Sequence, residues 1–283
     1  MYIYLKLFET IERSLRLMND SITFYNEIDI IASNTWPAEI TAYIDNWQLR
    51  ATQGVTKRAN SVLAIGDYPK TANWLPLVEQ FYADKGLPAI FHISDASPPG
   101  LDEMLDSQGY VHELPCLMMF ANAQEAAAFA QEKLLLKPPL SITTEWIGEV
   151  DEEWLDAFLE LERYDKTLKD CYKGICDRIS KTKGFIKIKK DDQIIAVATA
   201  IVEGEYAGFL NVVVSEKERG QGLSYYLLQA LSSWSLEHGA TQQYLQVVAS
   251  NTTAVSLYEK LGYQTKYRYH YRMKYDLSPF ASS

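Results

Sequence analysis

The chain has 283 residues, 47% of them hydrophobic, enough to bury a substantial core and to fill two modest domains. A formal net charge of −10 argues against a general nucleic-acid binder and favours small or cationic partners. No apolar stretch reaches the length of a membrane span, so a soluble, cytoplasmic protein is expected.

The opening residues 1–20 are interrupted by Lys6, Glu9, Glu12 and Arg13, and they read as an amphipathic helix in place of a signal peptide. A helix is predicted over Ser21 to Ser33. The Asn34-Thr35-Trp36-Pro37 punctuation suggests a second over Ala38 to Trp47, with a capping residue ahead of Pro. Strands follow over Gln48 to Thr52 and Ala59 to Ile65, joined by a turn around Gly54. Ala72 to Lys85 is predicted helical, with Trp74, Leu77, Val78 and Phe81 on one face and Gly86 as its stop. A strand over Ala89 to Ile93, a helix over Leu101 to Gln108 closed by Gly109-Tyr110, and a strand over Cys116 to Phe120 complete this half. The Ala/Glu/Gln-rich stretch from Ala121 onward is helical by propensity, and Lys137-Pro138-Pro139 ends it. A domain boundary near Pro138 is therefore expected, dividing 1–138 from 139–283.

The second half offers a strand over Ser141 to Ile147, helices over Glu152 to Arg163 and Leu168 to Ile179, and strands over Phe185 to Lys189 and Ile194 to Val202. Asp191-Asp192 supplies the turn between those last two strands. The apolar strand Phe209 to Val214 leads through a charged turn into Arg219-Gly220-Gln221-Gly222-Leu223-Ser224 and then a helix ended by Gly239. Gly220 and Gly222 let backbone approach a ligand closely, and the free N–H groups of a helix's first turn suit a phosphate. A strand over Tyr244 to Ala249, then Asn251, a helix over Thr252 to Lys260 and the turn Leu261-Gly262-Tyr263 follow. Helix, strand, helix, Gly-Tyr and strand therefore occur in the same order in both halves.

The 219–224 loop and the 244–263 segment together resemble the GNAT acetyltransferase superfamily. Its acetyl-CoA loop reads Gln/Arg-x-x-Gly-x-Gly/Ala, and its next helix carries a Tyr ahead of a Leu-Gly-Phe/Tyr turn. Arg219, Gly222 and Tyr258 match, while Ser224 stands where Gly or Ala is usual. The first half has Gly66-Asp67-Tyr68-Pro69-Lys70-Thr71 at the corresponding place and looks like a degenerate copy. Its Arg58-Ala59-Asn60-Ser61-Val62 run resembles a bacterial two-half acetyltransferase group, and either lines a substrate cleft or makes a local turn.

The resemblance implies an α/β (α+β) fold of two GNAT-like halves, each a mixed, mostly antiparallel sheet flanked by helices. It also implies acetyl-CoA as cosubstrate and a primary amine of a small molecule, peptide or protein as acceptor. Backbone N–H groups of Val212, Val213 and Val214 would meet the thioester if their strand splays from Tyr244 to Ala249. Arg219 to Ser224 would hold the pyrophosphate. Asn251 would bond the pantetheine arm or cap its helix. Tyr258 would protonate the departing thiolate. For the base, Glu203, Glu205 or water remain open. That gap keeps a second reading alive, a non-catalytic acyl-CoA sensor on the same fold.

Cys116, Cys171 and Cys176 and the scattered His92, His112, His238 and His270 have no metal-ligand spacing, so packed thiols and no metal are expected. From Lys266 to Tyr275, Tyr267, Tyr269, Tyr271, Met273 and Tyr275 share one strand face, and Lys266, Arg268, His270, Arg272 and Lys274 share the other. The basic face either meets solvent or binds an anionic substrate group or nucleic acid, and the acidic net charge favours solvent.

Overall fold

The computed structural model describes residues 20–275; most of the helix expected over residues 1–20 lies outside them. A helix, α1, covers 20–34. The first half continues with strands β1 (Ile40–Ile44), β2 (Trp47–Ala51) and β3 (Val62–Leu63), helix α2 (Trp74–Ala83), β4 (Ile90–Ser94), α3 (Leu101–Ser107), β5 (Val111–Asn122) and α4 (Ala123–Leu135). The second half comprises β6 (Thr143–Ile147), α5 (Glu152–Glu162), α6 (Lys169–Asp177), β7 (Thr182–Lys190), β8 (Gln193–Glu203) and β9 (Tyr206–Val214). It ends with α7 (Leu223–Glu237), β10 (Gln242–Val248), α8 (Thr252–Glu259) and β11 (Gln264–Met273).

Two expectations change. The predicted helix over Ala38 to Trp47 is a β-hairpin, β1 with β2, paired from Ile40 with Ala51 to Ile44 with Trp47. Ile40, Thr41, Tyr43 and Ile44 are β-branched or aromatic, and tertiary pairing decides the outcome over a proline-headed helix start. Asp45 makes the hairpin's tip with a left-handed φ of 50°. The strand expected over Ala59 to Ile65 shrinks to two residues, because Lys57–Ala59 forms a short 3-10 turn capped by the Thr56 side chain.

All strands join one mixed sheet in the order β1-β2-β3-β4-β11-β5-β10-β9-β8-β7-β6. The order is symmetric about the β11/β5 contact except for β6, which adds one strand at the outer edge of the second half. Outward on either side lie a strand and its parallel neighbour, β4 with β3 and β10 with β9, followed by an antiparallel hairpin. The connecting helices correspond too: α2 links β3 to β4 as α7 links β9 to β10, and α3 precedes β5 as α8 precedes β11. At the centre the halves interleave, since β11 pairs with β4 of the first half and β5 pairs with β10 of the second.

Burial explains the interleaving. Tyr267, Tyr269 and Tyr271 of β11 are buried, and an apolar ring that size contributes roughly 1.5–3 kcal/mol when fully removed from water. Helix α1 lies across the seam, with Ile28 and Ile31 against Phe120 of β5 and Tyr244 of β10. The basic face of β11 does not simply meet solvent. Arg272 bonds Asp102 and Asp106 of α3, His270 bonds Asp102 at 2.8 Å, and Lys274 pairs with Glu79.

Candidate active site

The parallel contact of β9 with β10 is short: it runs from Tyr206 with Gln242 to Phe209 with Leu245 and then stops. Beyond those residues the strands part, and a cleft of about 280 Å³ opens between them. The cause lies on the other edge of β9, where a bulge opposite Ala198 interrupts pairing with β8. Asn211 absorbs the bulge with a left-handed φ of 54°, which Asn tolerates better than most residues, and its amide donates to Thr199 Oγ1 at 3.2 Å. The sequence shows this device only as an Asn inside an apolar strand, and Asn211 was not among its candidates.

The bulge sets which backbone groups face the opening. Ser215 N–H donates to Ile195 C=O at 2.8 Å, which makes Val214 and Ala196 a non-hydrogen-bonded pair. The Val214 N–H therefore points away from β8 into the gap, whereas Val213, opposite Val197, turns its backbone groups to β8. Val212 lines the cleft.

At the end of β9 the chain passes through a short turn, Glu216–Glu218, to Arg219 and Gly220. Gly222 is the N-cap of α7 with φ 98°, and no side chain caps the first turn of that helix. Its N–H groups at Leu223 and Ser224 are thus the helix's anion-facing end. Arg219 is exposed and only loosely paired, 3.8 Å from Glu216, and Gln221 bonds Glu218. One neighbour went unnoticed in the sequence. Lys137, just past α4, lays its stem against Gly222 and brings Nζ to 3.5 Å from the Gly220 carbonyl oxygen.

Tyr258 of α8 reaches the same cleft from the other wall. It is 8% exposed, and its hydroxyl has no hydrogen-bond partner among the described residues. Burial pushes its pKa up to about 12, so the phenol stays protonated at working pH. Asn251 caps α8, its Oδ1 accepting from Ala254 N–H at 3.1 Å, while also lining the cleft. The cap uses the oxygen end of the amide and leaves the NH₂ end for a ligand.

The carboxylates considered in the sequence lie elsewhere. Glu203 bonds Lys181 and Asn34, and the Glu205 carbonyl accepts from Thr241 and Gln242 at the closed end of the β9/β10 pair. The carboxylate that lines the cleft is Glu162, the last residue of α5. Burial raises its pKa, with Arg219 opposing. Nothing in the sequence sets it apart from the other acids of that helix, because only the packing of α5 against β9 brings it here.

The first half contributes to this cleft as well. Trp36, Thr56 and Arg58 line it, and Arg58 stacks on Trp36 with its guanidinium carbon 4.9 Å from the ring centroid. The 58–62 run therefore divides. Asn60 and Ser61 make local bonds, Asn60 to Thr52, Gly54 and Thr56 and Ser61 to Arg50, while Arg58 faces the cleft. A larger cavity of about 460 Å³ adjoins and shares Thr56, Arg58, Tyr164, Gln246 and Val248 with it. Among the described residues, no cluster of His, Cys, Asp or Glu is arranged to hold a metal, and no helix is long and apolar enough to cross a membrane.

Comparison with known proteins bears on this geometry. Residues 26–272 match the family model described as "Probable histone acetyltransferase Rv0428c C-terminal". The chain is 36% identical over 248 residues to the uncharacterized N-acetyltransferase YobR of Bacillus subtilis (strain 168), an alignment covering 88% of this chain and 98% of that one. Among solved structures, a GCN5-related N-acetyltransferase from Kribbella flavida superposes with a TM-score of 0.62 at 16% identity, covering 87% of this chain and 95% of that one. A tandem GNAT protein from the clavulanic acid biosynthesis pathway superposes with a TM-score of 0.58 at 12% identity, covering 87% and 86%. These two share the fold.

Proposed function

The chain belongs to the family of the Rv0428c C-terminal domain, GNAT-type N-acetyltransferases, and on that premise we propose that it transfers the acetyl group of acetyl-CoA to a primary amine in the cleft between β9 and β10. The observation that carries this reading is the cleft where β9 and β10 part, lined by Val212, Asn251 and Tyr258 with its unpartnered hydroxyl, on a strand whose unpaired edge runs on past Val214 toward the uncapped start of α7. The residues fit acetyl-CoA: Arg219 to Ser224 hold the pyrophosphate with Lys137 beside them, and the Asn251 amide meets the pantetheine arm.

The amine nitrogen attacks the thioester carbonyl carbon, forming the C–N bond, and the developing oxyanion is met by the Val214 N–H. As the C–S bond breaks, Tyr258 gives its proton to the leaving sulfur. Glu162 takes the proton that the nitrogen sheds, a role favoured by burial, which raises its pKa above the ordinary carboxylate value. Solvent then returns a proton to Tyr258, so the products are the amide and CoA thiol. Only the second half carries this machinery, and the first half acts by building the acceptor wall.

Tyr258→Phe separates the hydroxyl from the ring. With acetyl-CoA affinity retained, turnover should fall on the order of a hundredfold or more. Unchanged turnover with chemistry rate-limiting would remove Tyr258 as the acid.

A further inference from the structure

Two side chains of the cleft carry opposite charges with no ion pair. Arg58 makes no hydrogen bond or salt bridge among the described residues; its guanidinium lies over the face of Trp36. Glu162 likewise has no hydrogen bond or ion pair there. The other charge at the cavity wall, Lys57, is matched by Glu113 at 3.0 Å. Tyr164 and Tyr172, stacked with centroids 5.8 Å apart, line the same cleft. Both rings sense both charges: after burial, which raises each phenol's pKa, Glu162 raises and Arg58 lowers it. The cleft thus has aromatic walls and carries one cation, Arg58, and one anion, Glu162, both close enough to act on the same two rings.

A half-buried guanidinium without a carboxylate is incompletely satisfied, and its planar fork suits a carboxylate held by two parallel N–H bonds. We propose that the acyl acceptor carries a carboxylate as well as its amine, a free amino acid or an ω-amino acid, seated with the carboxylate on Arg58 and the amine toward Glu162. A carboxylate fits better than a phosphate because one free guanidinium balances one negative charge, and a phosphate dianion would face Glu162 with a charge uncompensated. The orientation of the amine rests on the acetyl-transfer reading above; the anion site on Arg58 does not. The adjoining cavity, whose wall includes Leu87, Leu114 and Met273, gives the rest of the acceptor an apolar berth.

The test is a panel of free α- and ω-amino acids, each beside its carboxamide, with phosphoethanolamine as the phosphoryl arm. Binding to the full chain saturated with CoA is read by calorimetry, and transfer is read by thiol release from acetyl-CoA. Free amino acids should bind and react with kcat/KM on the order of a hundredfold above their carboxamides. Arg58→Met should erase that preference, and Arg58→Lys should restore only part of it, because an ammonium gives a point charge without the fork. The wild-type panel decides even if an Arg58 variant folds poorly. Equal use of both members of each pair, preference for the phosphoryl compound, or no carboxylate-dependent binding overturns the inference. Carboxylate-dependent binding without thiol release would uphold the anion site and sink the acetyl-transfer reading instead.

Discussion

The two helix-start loops occupy corresponding places in the sheet and both lead into a helix with a left-handed N-cap and no side-chain cap, yet the approaches to them are filled differently. Before α7, Gly222 is followed by uncapped N–H groups beside an open cleft. Before α2, the corresponding stretch from Gly66 is filled from within: Asp45 accepts the Lys70 N–H at 2.7 Å, the Asp67 carbonyl accepts from Trp47, and Tyr68 packs on Trp47 and Trp74. A side-chain carboxylate thus occupies a backbone donor of that loop, although the first turn of α2 itself, like that of α7, has no side-chain cap. The next helix shows the same contrast. Tyr110 N–H bonds Leu105 C=O in the first half just as Tyr263 N–H bonds Tyr258 C=O in the second, so Leu105 stands where Tyr258 does. Leu105 is fully buried and has no proton to give. One topology can therefore hold a half with an open cleft and a half filled by its own side chains, and the difference resides in a few residues.

The largest expected effect comes from making the same change in both loops. At Gly222 a Val side chain meets a left-handed φ of 98° and places its Cβ 3.0 Å from Lys137 Cγ, within the phosphate approach. Gly222→Val should lower acetyl-CoA affinity more than about a hundredfold in calorimetry, a loss of roughly 3 kcal/mol. At Gly66, with φ 74° and Asn46 4.0 Å away as the one near neighbour, Gly66→Val should cost about 1–2 kcal/mol in urea unfolding and leave affinity unchanged. Equal affinity losses in the two variants would erase the distinction between the loops.

Glu162→Gln sharpens the comparison at the chemical step, with turnover expected to fall about a hundredfold near neutral pH. The pH dependence follows from the direction of the shift. A base works deprotonated, so wild-type kcat/KM is lost as pH falls through a Glu162 pKa raised above the ordinary carboxylate value by burial. That acid limb should vanish from the variant's profile, and its persistence would assign the limb to another group. The smallest effect contrasts two lysines. Lys137→Ala should weaken acetyl-CoA binding a few-fold at low salt, less as salt rises, whereas Lys70→Ala in the first-half loop should do nothing measurable. A loss in the Lys70 variant would place a ligand where Asp45 now sits.

What the sequence made legible was local. The α7 loop, the Tyr258 helix and the repeated helix, strand, helix order rest on glycine placement and hydrophobic period, and those elements form near their expected bounds. Three features depended on strand pairing and tertiary packing. The β1/β2 hairpin was hidden because Pro37 signals a helix start and only pairing of β1 with β2 selects extended backbone. The interleaving of β11 with β4 and β5 cannot be read from periodicity, which gives a strand its faces but not its neighbours. Glu162 and Lys137 are ordinary surface-type residues in sequence, and they reach the cleft through the packing of α5 and the path of the chain after α4. Arg58 lay inside a run that admitted both a cleft and a turn, and its neighbours took the turn.

The central claim is that one half of a symmetric sheet keeps the acetyl-CoA site while the other has filled its own. Calorimetric titration of acetyl-CoA into the full chain tests it most directly. One site per chain is predicted, removed by Gly222→Val and untouched by Gly66→Val. Two equivalent sites, or one site that survives Gly222→Val at wild-type affinity, would contradict it.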